Sequence, residues 1–451
     1  RRMRRLLVAN RGEIAVRIIR AARDLGVETV AIHSTADAGA LHVELADEAV
    51  EVGPPPATRS YLDIAAIVEA ARATGAEAVH PGYGFLAERA DFASACEEAG
   101  LRFVGPSPQH IALMGDKAEA RETARKAGVP TIPGSLAPVS GPDEAATIAA
   151  EVGYPVAVKA AGGGGGRGIR IVGDEAALRH DLPLAAQEAG NAFGDSRVYI
   201  ERFIAPARHV EVQVLGDGAR AIHLYERDCS VQRRRQKVIE ETPAPGLPAA
   251  TREAMCRAAV ALCDAVGYRS AGTVEFLVDA TATSFFFMEM NTRIQVEHPI
   301  TELTCGVDLI AEQLQIAAGE PLQLDQDAVV PRGCAIELRL TAEDPELGFQ
   351  PSPGTVTAIS LPEGPWVRVD TWVRQGTVVP PFYDSLLGKI VVWGEDRERA
   401  IARGRRALRE LSIEGVATSA AMLADVLDAP WFTGGDLHTG VLEEWLGAGR
   451  V

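Results

Sequence analysis

Lysine is scarce in this chain of 451 residues. Of 45 basic residues, 40 are arginines, and the five lysines are Lys117, Lys126, Lys159, Lys237 and Lys389. The formal net charge of −17 disfavours nucleic acid as a partner, because phosphate binding requires a concentrated positive surface. Each lysine retained in so arginine-rich a chain is therefore a candidate for a functional role.

Long apolar runs and paired cysteines are also missing. No stretch approaches the roughly 18 uncharged apolar residues of a membrane span, so no membrane role is expected. The basic first residues, R-R-M-R-R-L-L-V-A-N, lack the apolar core and cleavage site of a signal peptide. The six cysteines form no C-x-x-C pair, which predicts neither a zinc site nor a disulfide framework. We therefore expect a cytoplasmic protein with reduced thiols.

Short apolar runs alternate with helical periodicity from Leu6 to Pro106, which predicts an open parallel sheet with crossover helices. Its first turn reads N-R-G-E and not G-x-G-x-x-G, so a Rossmann-like unit without a dinucleotide site is favoured. Pro- and Gly-rich punctuation predicts a boundary near residue 130, and a last segment begins after Pro331.

A run of five glycines lies in K-A-A-G-G-G-G-G-R-G, which begins at Lys159. Without side chains, backbone N–H groups can approach phosphate oxygens closely. No Gly-Lys-Ser/Thr ends the run and a strand follows, so it is not a Walker A loop. A hairpin flap over phosphates, flanked by Lys159 and Arg167, is favoured over a flexible connection.

A second hairpin is predicted from Gly272 to Asn291, with D-A-T-A-T-S as its turn. Centred near Ala282, it places Glu275 opposite Glu289. Asn291 joins Glu289 on one face, while Met288 and Met290 point to the other. Facing carboxylates repel each other unless a cation lies between them. The hairpin therefore indicates an Mg²⁺ site, the alternative being carboxylates on a solvated face.

Charged residues continue beyond this hairpin in T-R-I-Q-V-E-H-P. Here Arg293 and Gln295 could hold a small anion beside the metal while Glu297 acts as a base; the alternative is an Arg/Glu salt bridge that supports a loop. A third basic cluster could neutralise phosphate or bicarbonate or form a nonspecific polyanion patch. It consists of Arg233, Arg234, Arg235 and Lys237.

Together these segments resemble the biotin carboxylases of the ATP-grasp superfamily over essentially the whole chain. The matching motifs include A-N-R-G-E-I-A, H-P-G-Y-G-F-L, M-G-D-K, K-A-A-G-G-G-G-G-R-G, R-H-V-E, E-R-D-C-S-V-Q-R-R, E-M-N-T-R-I-Q-V-E-H-P and P-S-P-G. The resemblance implies an α/β ATP-grasp fold with an N-terminal Rossmann-like sheet, a mobile glycine-rich lid and a C-terminal mixed domain. The implied domains are residues 1–115, 116–330 with the lid at about 131–204, and 331–451.

The resemblance also implies a nucleotide and metal site. Lys117 and Lys159 would contact ATP phosphates or adenine, and Gly165 and Gly166 would lie in the lid. His209 would lie near the nucleotide, as would Arg235, where members of the family often carry His or Asn. The adenine edge would be held by Glu201, Arg202, Phe203 and Ile204. The Mg²⁺ or Mn²⁺ ligands would be Glu275, Glu289 and Asn291.

For the chemistry, the resemblance implies that Glu297 removes the proton of bicarbonate, whose oxygen attacks the γ-phosphate of ATP. The resulting carboxyphosphate would give CO₂ and phosphate, which deprotonates the biotin ureido nitrogen. Arg339 would stabilise the enolate, and Tyr83 would line the biotin pocket. Bicarbonate would lie against Lys237, Arg293, Gln295 and the backbone of Val296.

None of the five lysines has the Met-Lys-Met setting in which the carrier domains of this family bear biotin. Biotin is therefore expected in trans, on a biotin carboxyl carrier protein or domain, with a carboxyltransferase subunit as a further partner and a homodimer or larger complex as the assembly. The preferred final acceptor is acetyl-CoA or propionyl-CoA. The alternatives are another ATP-grasp ligase and a nonenzymatic nucleotide-sensing module, and the presence of both Glu297 and Arg339 speaks against the latter.

Overall fold

The N-terminal region forms a sheet of five parallel strands within residues 2–162 and 168–449, which the computed structural model describes. The strand order is β3-β2-β1-β4-β5, as expected for the predicted open parallel sheet. Its strands are β1 (Arg5–Val8), β2 (Glu28–Ser34), β3 (Glu48–Gly53), β4 (Ala78–His80) and β5 (Arg102–Phe103). Its helices are α1 (Gly12–Asp24), α2 (Leu41–Leu45), α3 (Ile64–Ala73), α4 (Ala90–Glu98) and α5 (Pro108–Gly115).

The turns after β1 and β4 are tied together at the carboxyl edge of this sheet. The side-chain amide of Asn10 donates to the carbonyls of Pro81 at 2.8 Å and Tyr83 at 2.7 Å. Gly82 between them has φ +64°, and a Cβ there would lie 2.9 Å from the Asn10 amide nitrogen. Only glycine fits this turn without strain, so the turn fixes the backbone of Tyr83.

Phe92 on α4 gives a test of the N-terminal core. Its side chain is fully buried and meets Phe103 edge to face at 6.0 Å between ring centroids. We expect Phe92→Ala to lower the free energy of unfolding by about 3–5 kcal/mol, because transfer and cavity terms add. Urea titration followed by circular dichroism measures this, with the exposed Glu97→Ala on the same helix as control, within about 0.5 kcal/mol of the parent. A loss below about 1 kcal/mol for Phe92→Ala would contradict the packing.

The following region forms a small antiparallel sheet in the order β7-β6-β8. Lys159 pairs with Ile169 across β6 and β7, so the glycine run connects hairpin strands as predicted. Gly165 and Gly166 lie outside the described residues. The elements are α6 (Lys117–Lys126), α7 (Pro142–Val152), β6 (Val156–Ala160), β7 (Ile169–Val172), α8 (Glu175–Phe193) and β8 (Val198–Arg202).

Long antiparallel strands dominate the middle of the chain. Helix α9 packs against them and buries Met255, Ala259 and Leu262 with Val212 and Val274. The elements are β9 (Arg208–Asp217), β10 (Ala221–Arg233), β11 (Gln236–Thr242), α9 (Ala249–Val266), β12 (Arg269–Val278), β13 (Phe285–Asn291), α10 (His298–Cys305), α11 (Leu309–Ala317) and β14 (Cys334–Thr341).

The remainder of the chain mixes short strands with helices, as the sequence predicts. The strands are β15 (Glu343–Asp344), β16 (Gln350–Pro351), β17 (Gly354–Thr355), β18 (Ala358–Ser360), β19 (Val367–Thr371), β20 (Val378–Val379), β21 (Leu386–Gly394) and β22 (Ser412–Glu414). The helices are α12 (Arg397–Glu410), α13 (Ala420–Asp428), α14 (Pro430–Thr433) and α15 (Val441–Gly447). Among the residues described, no helix combines the length and apolar character needed to cross a membrane.

A single sheet joins the middle and C-terminal regions. In the described part of the chain it has eight strands in the order β13-β12-β9-β10-β11-β14-β21-β19. The pairing of β11 with β14 carries the sheet across the boundary predicted at residue 330, because a sheet edge favours pairing with any strand that presents matching backbone groups. The division into units at residues 115 and 330 stays a prediction.

Candidate active site

A cleft of about 1560 Å³ lies between the three-stranded β7-β6-β8 sheet, the eight-stranded sheet and the C-terminal region. Residues from segments hundreds of positions apart line it, but Arg233 of the predicted basic cluster is not among them. All the described residues predicted to bind nucleotide, metal, bicarbonate or biotin do line it. These are Tyr83, Lys117, Lys159, Glu201, Arg202, Phe203, Ile204, His209, Arg235, Lys237, Glu275, Glu289, Asn291, Arg293, Gln295, Val296, Glu297 and Arg339. Their convergence in one cleft makes it the candidate active site.

The predicted carboxylate hairpin has the expected register. Glu275 on β12 lies directly opposite Glu289 on β13, and Asn291 lies farther along β13. The next pair is Phe276 with Phe287, so Met288 is an extra residue in a β-bulge. A bulge breaks the alternation of faces. Met288 therefore lines the cleft beside Glu289, and the prediction that it points to the other face is wrong.

The electrostatics of this pair fit a cation. Burial and the neighbouring Glu275 raise the pKa of Glu289 to about 7. Burial alone would also raise the pKa of Glu275, but Lys237 and His209 hold it well below its ordinary value. The Asn291 amide donates to Glu275 at 2.7 Å. The protein thus leaves one carboxylate of the pair short of compensating positive charge, and hard oxygen ligands of this kind suit Mg²⁺.

Glu297 lies between two cations at the bottom of the cleft. Its Oε1 is 2.7 Å from Lys237 Nζ and its Oε2 is 3.0 Å from the Arg339 guanidinium. Burial alone would lower the pKa of Lys237, yet a thiol and three carboxylates hold it well above its ordinary value. Glu240 accepts from Arg339 Nε at 2.6 Å. Glu297 is only 1% exposed, so its charge is balanced by fixed cations and not by water.

Arg293 and Gln295 extend the site toward the hairpin that carries Glu275 and Glu289. Arg293 donates to Glu88 at 3.0 Å and to Asn291 Oδ1 at 3.2 Å. The Gln295 amide donates to Glu275 Oε1 at 3.2 Å. The alternative predicted from the sequence was an Arg/Glu salt bridge that supports a loop. Arg293 forms such a bridge with Glu88, whereas Glu297 pairs with Lys237 and Arg339.

The other end of the cleft carries the residues predicted to meet a nucleotide. Lys159 Nζ lies 2.6 Å from Glu201 Oε2, beside the strand segment predicted to hold adenine. Burial alone would lower the pKa of His209, but Glu275 and Glu211 raise it to about 9. Arg235 has φ +64° in the turn between β10 and β11, a conformation that matches the twist of a tight hairpin.

Sequence reasoning missed a buried layer beneath the cleft. Glu211 accepts from Lys237 at 2.9 Å and from Arg227 at 2.8 Å. Arg227 is fully buried and donates to the Gln295 side-chain oxygen at 2.7 Å. Glu211 could have been found, because it lies two residues after His209 in the R-H-V-E strand and so shares its face. No local signal marks Arg227, whose partners come from distant strands.

Comparison with known proteins agrees with this geometry. Residues 2–111 match the family Biotin carboxylase, N-terminal domain, and residues 337–444 match the Biotin carboxylase C-terminal domain. Residues 116–325 match the Carbamoyl-phosphate synthase L chain, ATP binding domain. The chain is 53% identical over 447 residues to the biotin carboxylase of Pseudomonas aeruginosa, covering 99% of both chains. The chain belongs to the biotin carboxylase family.

Other members of the biotin carboxylase family agree with this assignment. The propionyl-CoA carboxylase alpha chain of Ruegeria pomeroyi is 48% identical over 98% of this chain and 68% of its own length. A crystal structure of the biotin carboxylase domain dimer of Hydrogenobacter thermophilus 2-oxoglutarate carboxylase, in complex with MgADP, ADP and bicarbonate, has a TM-score of 0.89. It is 46% identical and covers 99% of this chain and 98% of that chain. The predicted family, fold class and biotin carboxylase activity are confirmed.

Proposed function

We propose that the cleft carboxylates biotin on a carrier protein with bicarbonate and ATP, giving ADP and phosphate, and that Glu297 is the base that starts the reaction. The observation that carries this proposal is the buried Glu297 carboxylate with Lys237 on one oxygen and Arg339 on the other. Each carboxylate oxygen therefore has a cation as its partner. An anion that enters beside it meets a base and positive charge together.

ATP binds along the lid side of the cleft. Lys117 and Lys159 contact its phosphates or adenine, the segment 201–204 holds the adenine edge, and His209 and Arg235 lie near the nucleotide. Glu275, Glu289 and Asn291 hold Mg²⁺ or Mn²⁺, which neutralises phosphate charge when bound. Support comes from the in-register carboxylates and the raised pKa of Glu289.

Bicarbonate lies against Lys237, Arg293, Gln295 and the backbone of Val296. Glu297 takes its hydroxyl proton, the freed oxygen bonds to the γ-phosphorus of ATP, and ADP leaves as the old phosphoanhydride bond breaks. The product, carboxyphosphate, divides into CO₂ and phosphate. Lys237 and Gln295 are held in place before the substrate arrives, because Lys237 donates to Glu211 and Gln295 accepts from Arg227. A preorganised site needs little reorganisation during the reaction.

Biotin enters on the side of Tyr83 and Arg339. Phosphate released from carboxyphosphate takes the ureido proton, the ureido nitrogen bonds to CO₂, and Arg339 stabilises the enolate charge that forms between these steps. Glu240 is a second carboxylate partner of Arg339 and accepts from its Nε at 2.6 Å. The guanidinium of Arg339 therefore still has a carboxylate partner when Glu297 becomes protonated and loses its negative charge.

None of the five lysines lies in the Met-Lys-Met setting that bears biotin, so the proposal includes a partner that carries it. We propose a separate biotin carboxyl carrier protein or domain, a carboxyltransferase subunit, a homodimer or larger assembly, and the cytoplasm as the compartment. Acetyl-CoA or propionyl-CoA is the proposed final acceptor, supported by the likeness to a propionyl-CoA carboxylase alpha chain.

The first test is ADP release with ATP, Mg²⁺ and bicarbonate, with and without free biotin. We expect slow release that depends on bicarbonate and rises with free biotin at high concentration, because the ureido ring lacks the binding energy of its carrier. A streptavidin blot of the purified chain should be negative. A positive blot, or ADP release indifferent to both biotin and bicarbonate, contradicts the proposal.

A further inference from the structure

Lys389 is the buried lysine that the proposed mechanism leaves without a role. Lys117, Lys159 and Lys237 line the cleft, and the Lys126 side chain is 72% exposed. The Lys389 side chain, on β21, is 0% exposed. A buried ammonium group is costly unless carboxylates and hydrogen-bond acceptors surround it. Its partners therefore indicate what keeps it there.

Those partners lead to the active-site turn. Lys389 Nζ donates to the backbone carbonyl of Val296 at 2.7 Å. It lies 3.2 Å from Glu13 Oε1 and 3.9 Å from Asp370 Oδ2, and these carboxylates balance its charge. The Val296 carbonyl belongs to the peptide that links Val296 to Glu297, the proposed base.

This peptide lies in the turn between β13 and α10, outside both the strand pairing of β13 and the helix. Lys389 and Arg339 are directly opposite each other on β21 and β14, so their side chains share one face. Arg339 pairs with the carboxylate of Glu297, and Lys389 donates to the backbone carbonyl of the preceding residue, Val296. Like charges placed opposite each other destabilise a sheet. Here the two cations both bind the turn that contains Val296 and Glu297.

The strand that carries Lys389 has little room to move. A Cβ at Gly388 would lie 2.7 Å from the Asp370 carbonyl oxygen and 2.7 Å from Thr371 Cβ, so β19 and β21 are in close contact at this point. Glu13 also accepts the hydroxyl hydrogen of Tyr83, which lines the cleft. Lys389 thus contacts the Glu297 turn directly and the Tyr83 hydroxyl through Glu13.

We propose that Lys389 is a positioning residue for the reaction, which fixes the peptide between Val296 and Glu297 and, through Glu13, the hydroxyl of Tyr83. The proposal rests on the proposed function, in which the Val296 backbone holds bicarbonate and Glu297 takes its proton. A displaced peptide shifts both groups relative to bicarbonate, while the nucleotide contacts on the lid side stay unchanged. The predicted signature is therefore a defect in bicarbonate use with normal nucleotide binding.

The test is Lys389→Met, which keeps the length and apolar stem of the side chain and removes the ammonium group. We expect the KM for bicarbonate to rise and kcat to fall, with a combined loss in kcat/KM of about 10- to 100-fold, because small misplacements of reacting groups have effects of this size. The Kd of a fluorescent ATP analogue should change less than about threefold. Initial rates of ADP release and a fluorescence titration measure both quantities.

Matched variants separate positioning from loss of stability. Lys389→Met with Glu13→Gln also removes the buried Glu13 carboxylate that pairs with Lys389, and should keep the bicarbonate defect in a stabler fold. Arg397→Met is the control, because Arg397 pairs with Glu241 at 2.7 Å and donates to the Phe432 carbonyl at 2.6 Å, away from the cleft. It should lower the unfolding temperature and leave the bicarbonate KM unchanged.

A folded Lys389→Met protein with bicarbonate kcat and KM within about twofold of wild type overturns the proposal. So does an equal defect in Arg397→Met, or failure of both Lys389 variants to fold, since either makes Lys389 only a stabilising residue. If wild type itself shows no bicarbonate-dependent ADP release, the proposed function fails and this proposal fails with it. A normal wild type with an unaffected Lys389 variant overturns this proposal alone.

Discussion

Glu297→Gln should abolish most of the bicarbonate-dependent ATP hydrolysis while nucleotide binding continues. The amide keeps the shape of the side chain but cannot accept the bicarbonate proton, and general-base catalysis contributes about 10²- to 10⁴-fold. We therefore expect kcat for ADP release to fall by about 10²-fold or more. Coupled-enzyme initial rates measure the loss, and titration with a fluorescent ATP analogue measures nucleotide affinity.

The Glu297→Gln variant also removes the charge that Lys237 and Arg339 share, so its unfolding temperature should be compared with that of wild type. The surface variant Glu253→Gln, whose parent side chain is 71% exposed, is the matched control and should keep full activity. A loss in Glu297→Gln below about threefold would assign Glu297 to a salt bridge that supports the turn.

The facing of Glu275 and Glu289 was predicted from a hairpin centred near Ala282. The pairs nearest the turn, such as Phe276 with Phe287, are centred half a residue earlier, so it is the bulge that brings the two glutamates opposite each other. The alternation of faces, predicted from a strand period of two, failed at Met288. The bulge adds one residue to β13, and no glycine or proline marks that position in the sequence. Local patterning therefore predicts which residues face each other only as far as the first irregularity in strand pairing.

The eight-stranded sheet was beyond local reasoning for a different physical reason. Strands β11 and β14 are separated by about 90 residues of chain, and the order in which such strands pair depends on tertiary packing more than on their own propensity. Lys389 illustrates the consequence. The sequence shows that lysines are few, which made Lys389 a candidate for a role. Its contacts with Val296 and Glu13 could not be predicted, because they require the pairing of β14 with β21.

Glu289→Gln should slow turnover by about 10²-fold at ordinary Mg²⁺ concentrations, because it removes the charge of one proposed ligand while keeping its shape, and a metal contributes several kcal/mol of charge stabilisation. Folding should be little affected, since Glu289 loses an unfavourable contact with Glu275. Initial rates over a Mg²⁺ titration measure the effect. Asp279→Asn, at the turn of the same hairpin, is the control and should leave turnover unchanged.

The pH dependence of Mg²⁺ binding supplies a readout specific to this ligand. The pKa of Glu289 is raised to about 7 by burial and by Glu275, and a metal binds only the deprotonated carboxylate. Lowering the pH from 8 to 6 protonates Glu289, so the apparent Mg²⁺ affinity of the wild type should fall about tenfold. In Glu289→Gln no such proton competes, and the weaker affinity should vary little over that range. If Glu289→Gln keeps wild-type turnover at ordinary Mg²⁺, or if both proteins show the same pH dependence, Glu289 is not the ligand.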